Sequence, residues 1–246
     1  MTLAGRRVLV TGGGSGAGAD LARGLAEAGA DVVVAGRRAA ALDAVAQGHP
    51  RIRPIVADVT DEGSVTALFD AAGPRDIVIA NAGGGDSAPF ARMTLAEWNA
   101  MIAVNLTGTF LTFREGLRRM DGWGRLIAIA STAGVQGAPY VAAYAAAKHG
   151  VVGLVRSVAL EVARKGITAN AICPGYLDTA MTGRTVANIM DKTGKTADEA
   201  LAALTATNPQ HRLIAPSEVT ATALWLCAPG AEGINGQAIV LNGGTP

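Results

Sequence analysis

A glycine-rich run near the N-terminus, Thr11-Gly12-Gly13-Gly14-Ser15-Gly16-Ala17-Gly18, constrains this chain more than any other feature. It lies between a short apolar segment, Arg7–Val10, and a helical pattern, Gly16–Ala28. Glycine permits sharp turns and close backbone approach, and the first turn of a helix presents unpaired N–H groups and a favourable dipole. Alone, such a run is also compatible with a flexible turn. Set between the first strand and first helix of an alternating series, it predicts a nucleotide-phosphate turn. The expected contacts are Gly12, Gly14, Ser15, Gly16, Ala17 and Gly18.

The alternation continues along the chain. Expected strands are Arg7–Val10, Asp31–Ala35, Ile52–Val56, Asp76–Ala80, Gly124–Ala130, Thr168–Ile172 and Ala238–Leu241. Their apolar character is nearly continuous, as in strands covered on both faces. Helical patterns between them include Ser64–Ala71, Leu95–Arg119, Val141–Arg164 and Pro216–Leu226. This predicts an α/β fold: a doubly wound parallel sheet of about seven strands with helices on both faces. No linker or repeat interrupts residues 1–246, so one domain is expected. Only the stretch from Pro174 to Pro216 breaks the rhythm, with weak helices and no convincing strand. An insertion at about 177–212 follows the ligand-binding end of a strand, and a lid is expected there, an ordinary surface excursion being the alternative.

Composition excludes several classes. The formal net charge is +1 and aromatics are 4% of residues, which gives no field or stacking surface directed at nucleic acid, and none at a membrane. Cys173 and Cys227 stand apart in no metal-ligand pattern, so neither a disulfide framework nor a metal site is expected. The run Val8–Val10 is too short for a signal peptide, and Val151–Val162 carries Arg156 and Glu161. A cytoplasmic location is the expectation.

The end of the second strand bears on the nucleotide. NAD-binding sites usually place an acid there, but here the strand ends Ala35-Gly36-Arg37-Arg38, with Asp31 at the wrong end. A guanidinium can hydrogen-bond a 2′-phosphate that an acid would repel. NADP(H) is therefore expected over NAD(H), with Arg37 the contact; solvation of the next helix by both arginines is the alternative.

Tyr144 and Lys148 share one helix face at a spacing of four residues. A free tyrosine is a poor base at neutral pH, and a neighbouring ammonium favours its phenolate, making proton exchange with an alcohol feasible. Tyr140 is a second tyrosine on that face, without a lysine four residues on, and His149 points aside. Ser131 follows the strand Gly124–Ala130, where its hydroxyl could meet a reacting oxygen or simply cap a turn alongside Thr132.

Together the Thr11–Gly18 loop, Asn81-Ala82-Gly83, Asn105, Ser131, Tyr144, Lys148, Pro174-Gly175 and Asn242-Gly243-Gly244 resemble the short-chain dehydrogenase/reductase family over essentially the whole chain. The resemblance implies a Rossmann fold and a catalytic tetrad of Asn105, Ser131, Tyr144 and Lys148. In it Ser131 orients the substrate oxygen, Tyr144 transfers the proton, Lys148 holds the nicotinamide ribose while depressing the tyrosine pKa, and Asn105 holds a relay water. It also implies cofactor contacts from Asp58 in Asp58-Val59, from Asn81, Ala82 and Gly83, and from Pro174, Gly175 and Thr179. Ala80 stands where the family usually has a first Asn, and Ser15 where NADP-preferring members often carry a basic residue.

The implied reaction interconverts a secondary alcohol and a ketone. The 177–212 insertion, with the ending Asn208 to Val219, is similar to that of reductases of 3-oxoacyl thioesters and of 3-hydroxyacyl-CoA dehydrogenases. Arg184, Lys192 and Lys195 are candidate contacts for the phosphates of an acyl-thioester substrate, or plain surface charges. A sugar, polyol or other small secondary-alcohol dehydrogenase is the second reading, and a non-catalytic nucleotide-binding scaffold the third. The family further implies a homotetramer, a dimer being the alternative. Gly108, Gly116, Gly150 and Gly153 would allow close helix approach between copies or within the chain.

Overall fold

The computed structural model describes residues 2–245. In chain order, β1 (Arg7–Thr11) leads to α1 (Gly16–Glu27), β2 (Asp31–Gly36) to α2 (Ala39–Ala46), and β3 (Ile52–Val56) to α3 (Glu62–Ala72). Next, β4 (Ile77–Ala80) precedes α4 (Leu95–Ile102) and α5 (Gly108–Arg118), and β5 (Gly124–Ile129) precedes α6 (Ala142–Val162). Last come β6 (Ile167–Pro174), α7 (Ala180–Thr193), α8 (Ala197–Thr205), α9 (Pro216–Cys227) and β7 (Ala238–Leu241).

The strands form one seven-stranded parallel sheet in the order β3-β2-β1-β4-β5-β6-β7. Side chains of a strand alternate between faces, and here both faces are buried. Leu9, Val33, Val78 and Leu126 pack with Phe69, Leu111 and Val155 of α3, α5 and α6. Their neighbours Val8, Val10, Val32, Val34 and Ile127 pack on the other side with Leu21 and Leu25 of α1 and Val219 and Leu226 of α9. That two-sided burial is why the strands read as unbroken apolar runs. The order reverses between β1 and β4, which opens a crevice at their C-terminal ends.

Two regions depart from the sequence expectation. The pattern Leu95–Arg119 is not one α-helix: a π-turn, Ala103–Thr107, interrupts it and carries Asn105. Such a turn inserts one residue while the apolar periodicity runs on, so the pattern conceals it. The stretch after β6, read as weak helices, holds two well-formed ones, α7 and α8. A capping box, Thr196 with Glu199, starts α8 and is the local signal that marks it. The insertion is pinched at its stem, where Asp178 N–H donates to the Ile214 carbonyl (2.9 Å) and Ile214 N–H to that of Tyr176 (2.9 Å).

Three of the four helix glycines serve packing inside the chain. A methyl on Gly108, Gly116 or Gly150 would meet Val59, Val78 or Leu106 at 2.7–2.9 Å, whereas Gly153 has open space.

Candidate active site

The glycine run closes over the C-terminal end of β1 with almost no free volume. Gly12 has φ +65°, and a Cβ there would lie 2.7 Å from the Ala82 Cα. A Cβ on Gly18 would collide with the Gly12 carbonyl oxygen and with Asn81 Nδ2. Asn81 fastens the turn from the neighbouring strand, its Nδ2 donating to the carbonyls of Thr11 (3.0 Å) and Gly12 (3.2 Å). The buried Thr11 Oγ1 accepts from the backbone N–H of Asn81 and Ala82, at 3.1 and 3.2 Å. Thr11 is thus a fastening residue, a role that its place in the glycine run does not announce.

The turn presents the start of α1 to solvent. Ser15 is exposed and makes no side-chain capping bond, and the first helical turn holds no acidic residue. The first N–H groups of α1 thus face the crevice without a side-chain partner, which suits a pyrophosphate. Thr179 closes the far side, its Cγ2 lying 3.3 Å from where a Cβ of Gly16 would stand. Arg37 is exposed beyond β2 and, among the described residues, forms no ion pair within a side chain's reach. Its positive charge is nevertheless felt at Asp58. Hydrogen bonds from Thr60 hold the Asp58 carboxyl below the usual range, and Arg37 adds to them. This donor set, unpaired amides plus a free guanidinium at the ribose end, fits a 2′-phosphorylated dinucleotide. Val59 is buried against Gly108, and Pro174 and Gly175 continue β6, Gly175 N–H donating to Leu241 (2.9 Å).

Tyr144 and Lys148 project from the first turns of α6 toward the same crevice. Lys148 is 4% exposed, and its Nζ donates to the Ile129 carbonyl at the end of β5 (2.8 Å). Its Nζ lies 5.6 Å from the Tyr144 ring centre. Ser131 follows β5 in an extended conformation, and its Oγ accepts from Ala133 N–H (3.2 Å). It therefore caps a turn, as the modest reading of the sequence allows, and also stands beside Tyr144. Gly134 in that turn has no room for a side chain, since a Cβ would lie 2.8 Å from the Lys148 carbonyl. This contact, which presses α6 against the Ser131 turn, has no counterpart in the sequence motifs.

Asn105, fully buried in the π-turn, exchanges hydrogen bonds with the backbone N–H and carbonyl of one residue. Its Nδ2 donates to the Gly84 carbonyl (2.9 Å) and its Oδ1 accepts from Gly84 N–H (3.3 Å). Gly83 fills the space between the two buried polar groups, for a Cβ there would lie 2.6 Å from Asn105 Oδ1 and 3.6 Å from Lys148 Nζ.

Protonation at this centre is governed by burial. Withdrawal from water pushes the Tyr144 phenol above its ordinary value, and the neighbouring Ser131 hydroxyl draws it back down. The same cause lowers Lys148 to about 8. The Lys148 ammonium is directed at the Ile129 carbonyl, and burial disfavours its own charge. Cys173, buried beneath Ser131 and Lys148, is raised to about 11 by desolvation and stays a thiol. Tyr140 does not share the face of Tyr144. It precedes α6, is 65% exposed and has a left-handed backbone, φ +67°. His149 is exposed, with Nδ1 at 2.9 Å from the Ala145 carbonyl. Arg184, Lys192 and Lys195 are exposed on or just beyond α7.

Residues 6–190 match the family model described as short chain dehydrogenase. The chain is 35% identical to the 3-oxoacyl-[acyl-carrier-protein] reductase MabA of Mycobacterium bovis, over 97% of this chain and 92% of that protein. It is 34% identical to a D-beta-hydroxybutyrate dehydrogenase of Rhizobium meliloti, over 97% of this chain and 98% of the relative. Among solved structures, a single-residue variant of actinorhodin polyketide ketoreductase with NADPH superposes with a TM-score of 0.91 at 34% identity, covering 98% of this chain and 97% of that one.

Proposed function

Because this chain belongs to the short-chain dehydrogenase family, we propose that it interconverts a secondary alcohol and a ketone with NADP(H), using Tyr144 as acid and base. The observation that carries this reading is the convergence of buried Lys148 with half-buried Tyr144 and Ser131 at the sheet edge that also bears the glycine turn and Thr179. NAD(H) is the second cofactor, and Arg37 favours the 2′-phosphorylated form.

When bound, the nicotinamide supplies or accepts the hydride, and the chain supplies placement and the proton. The first amides of α1 and the backbone of Gly12, Gly14, Ser15, Gly16, Ala17 and Gly18 would hold the pyrophosphate. Arg37 would hold the 2′-phosphate, while Asp58, Val59, Asn81, Ala82 and Gly83 line the adenosine side, and Pro174, Gly175 and Thr179 the nicotinamide side. Ser131 Oγ donates to the substrate oxygen and aligns it with Tyr144 Oη. In ketone reduction Tyr144 already holds its proton, because burial raises its affinity. Delivery of that proton leaves a phenolate, and the Lys148 ammonium on the same helix face offsets the new charge. Asn105 fixes the Gly84 peptide, and with it the wall between Lys148 and solvent.

A 3-oxoacyl thioester is the substrate class we favour, supported by the names of the reductase and ketoreductase relatives. The alternative is a sugar, polyol or other small secondary alcohol, and the hydroxybutyrate dehydrogenase relative supports the last of these. We further read the protein as a cytoplasmic homo-oligomer, a tetramer in form. Its support is the exposure of Phe110 on α5, Leu160 on α6, Trp225 on α9 and Val240 on β7.

Assaying acetoacetyl-CoA beside simple ketones and polyols tests the substrate, and no thioester turnover would reject it. Tyr144→Phe tests the chemistry: turnover should fall at least ~100-fold while NADPH binding persists. Undiminished activity in that variant would refute the mechanism.

A further inference from the structure

The loop after β4 crosses the site as a strap. Gly83 fills the gap between Asn105 and Lys148, and Gly84 is held by the Asn105 amide. Gly85 lies over the Tyr144 ring, for a Cβ there would stand 3.7 Å from Cδ2 and Cε2. Ala88 N–H then donates to the Tyr140 carbonyl (2.8 Å), on a residue whose left-handed backbone non-glycine side chains seldom adopt. Three consecutive glycines give the strap little stiffness of its own, so its position is set by these anchors.

One further anchor comes from the insertion. Asn188 Nδ2, midway along α7, donates to Ser87 Oγ at 3.2 Å, and both residues are partly buried. Residues 181, 185, 188 and 192 share a helix face, so Met181, Thr185 and Lys192 flank Asn188 on the side of α7 that meets the strap. About a quarter turn around the helix lies the buried Thr182, whose Oγ1 donates to the Leu177 carbonyl at the stem (2.5 Å). α7 is thus held at its base by the stem and at its middle by Ser87.

We propose that Asn188 is a positioning residue: through Ser87 it joins α7 to the strap and so sets the width of the substrate space above Tyr144. The inference rests on the ketone-reducing reading of the same site. Asn188 touches neither Tyr144 nor the nucleotide turn, and its effect belongs in substrate binding rather than in cofactor binding or proton transfer.

Steady-state kinetics with the best ketone among those assayed and NADPH tests this. A single neutral hydrogen bond supports a change of about fivefold. Asn188→Ala should raise the ketone KM by about that factor, with kcat within about twofold and the NADPH Kd unchanged. Ser87→Ala should do the same, and the double variant should be no worse than either single one. Asn188→Asp keeps an acceptor for the Ser87 hydroxyl and should restore most of the loss. Additive losses, or an unchanged KM, would overturn the proposal. Hydrogen exchange on the cofactor-free protein gives a readout independent of turnover: Asn188→Ala should speed exchange in both residues 84–88 and α7. Unchanged exchange would overturn the coupling. A wild-type protein that reduces no ketone would instead reject the oxidoreductase reading and leave the exchange result to decide this one.

Discussion

Gly18 stands in the first turn of α1 and Gly84 in the strap after β4, and a methyl group meets very different surroundings at each. At Gly18 it would run into the Gly12 carbonyl and the Asn81 amide, whereas at Gly84 nothing stands within 4 Å. The nucleotide side is a close-packed junction of β1, β4 and α1, in which glycine is required because backbones touch. The substrate side is a strap and a helix joined by a few polar contacts, in which glycine leaves the chain adaptable. A dinucleotide loses much torsional freedom on binding, and a preorganised cradle adds no ordering cost of its own. Contacts of small individual free energy, such as those on the substrate side, are the ones that local motion breaks first.

This contrast can be broken at graded cost. The largest effect is expected from Gly18→Ala, where overpacking a junction of backbones should cost about 3 kcal/mol or more. The urea midpoint would reveal it, and an unchanged midpoint would mean a looser cradle than these contacts require. Next, Arg37→Ala should lower kcat/KM for NADPH by ~10–100-fold, the usual range for a charge-assisted hydrogen bond, while leaving that for NADH nearly unchanged. Equal losses with both cofactors would remove Arg37 from the 2′-phosphate.

A smaller effect sharpens the centre between the two sides. Lys148 has its proton affinity lowered to about 8 by burial, so its positive charge is present below that pH and lost above it. That charge offsets the phenolate formed when Tyr144 gives up its proton. The kcat/KM for ketone reduction should therefore decline as pH rises through about 8, and Lys148→Met should be slow with no such inflection. A wild-type profile that is flat from pH 7 to 9 would contradict this. The smallest effect should be Gly84→Ala, which should change stability by less than about 0.5 kcal/mol. A large loss there would erase the distinction between cradle and strap.

Legibility in the sequence follows the range of the interactions. Each strand is readable to within one or two residues, since burial on both faces leaves an apolar run that needs no partner to be recognised. The Tyr144–Lys148 pair and the turn at Thr11–Gly18 are equally plain, because helix spacing and backbone freedom are properties of a few consecutive residues. The capping box of Thr196 and Glu199 is a local signal of α8 that the reading of weak helices passes over. The π-turn around Asn105 is hidden, because the apolar pattern runs through it. The expectation that Tyr140 lies on the helix fails for a similar reason: nothing in its neighbours announces a left-handed residue just before α6.

By itself, then, the chain's sequence determined the alternating α/β architecture, the place of the glycine turn between β1 and α1, and the spacing that puts Tyr144 and Lys148 on one helix. The tertiary structure alone decided that Ser131 both caps its turn and stands beside Tyr144, that Thr179 faces Gly16, and that Asn105 spends its amide on Gly84. It also decided that burial pushes the proton affinity of Tyr144 up and that of Lys148 down. The physical reason is common to all of these. Backbone propensity and periodicity act over a few residues, whereas desolvation and contacts between distant segments exist only after the whole sheet and its helices have packed.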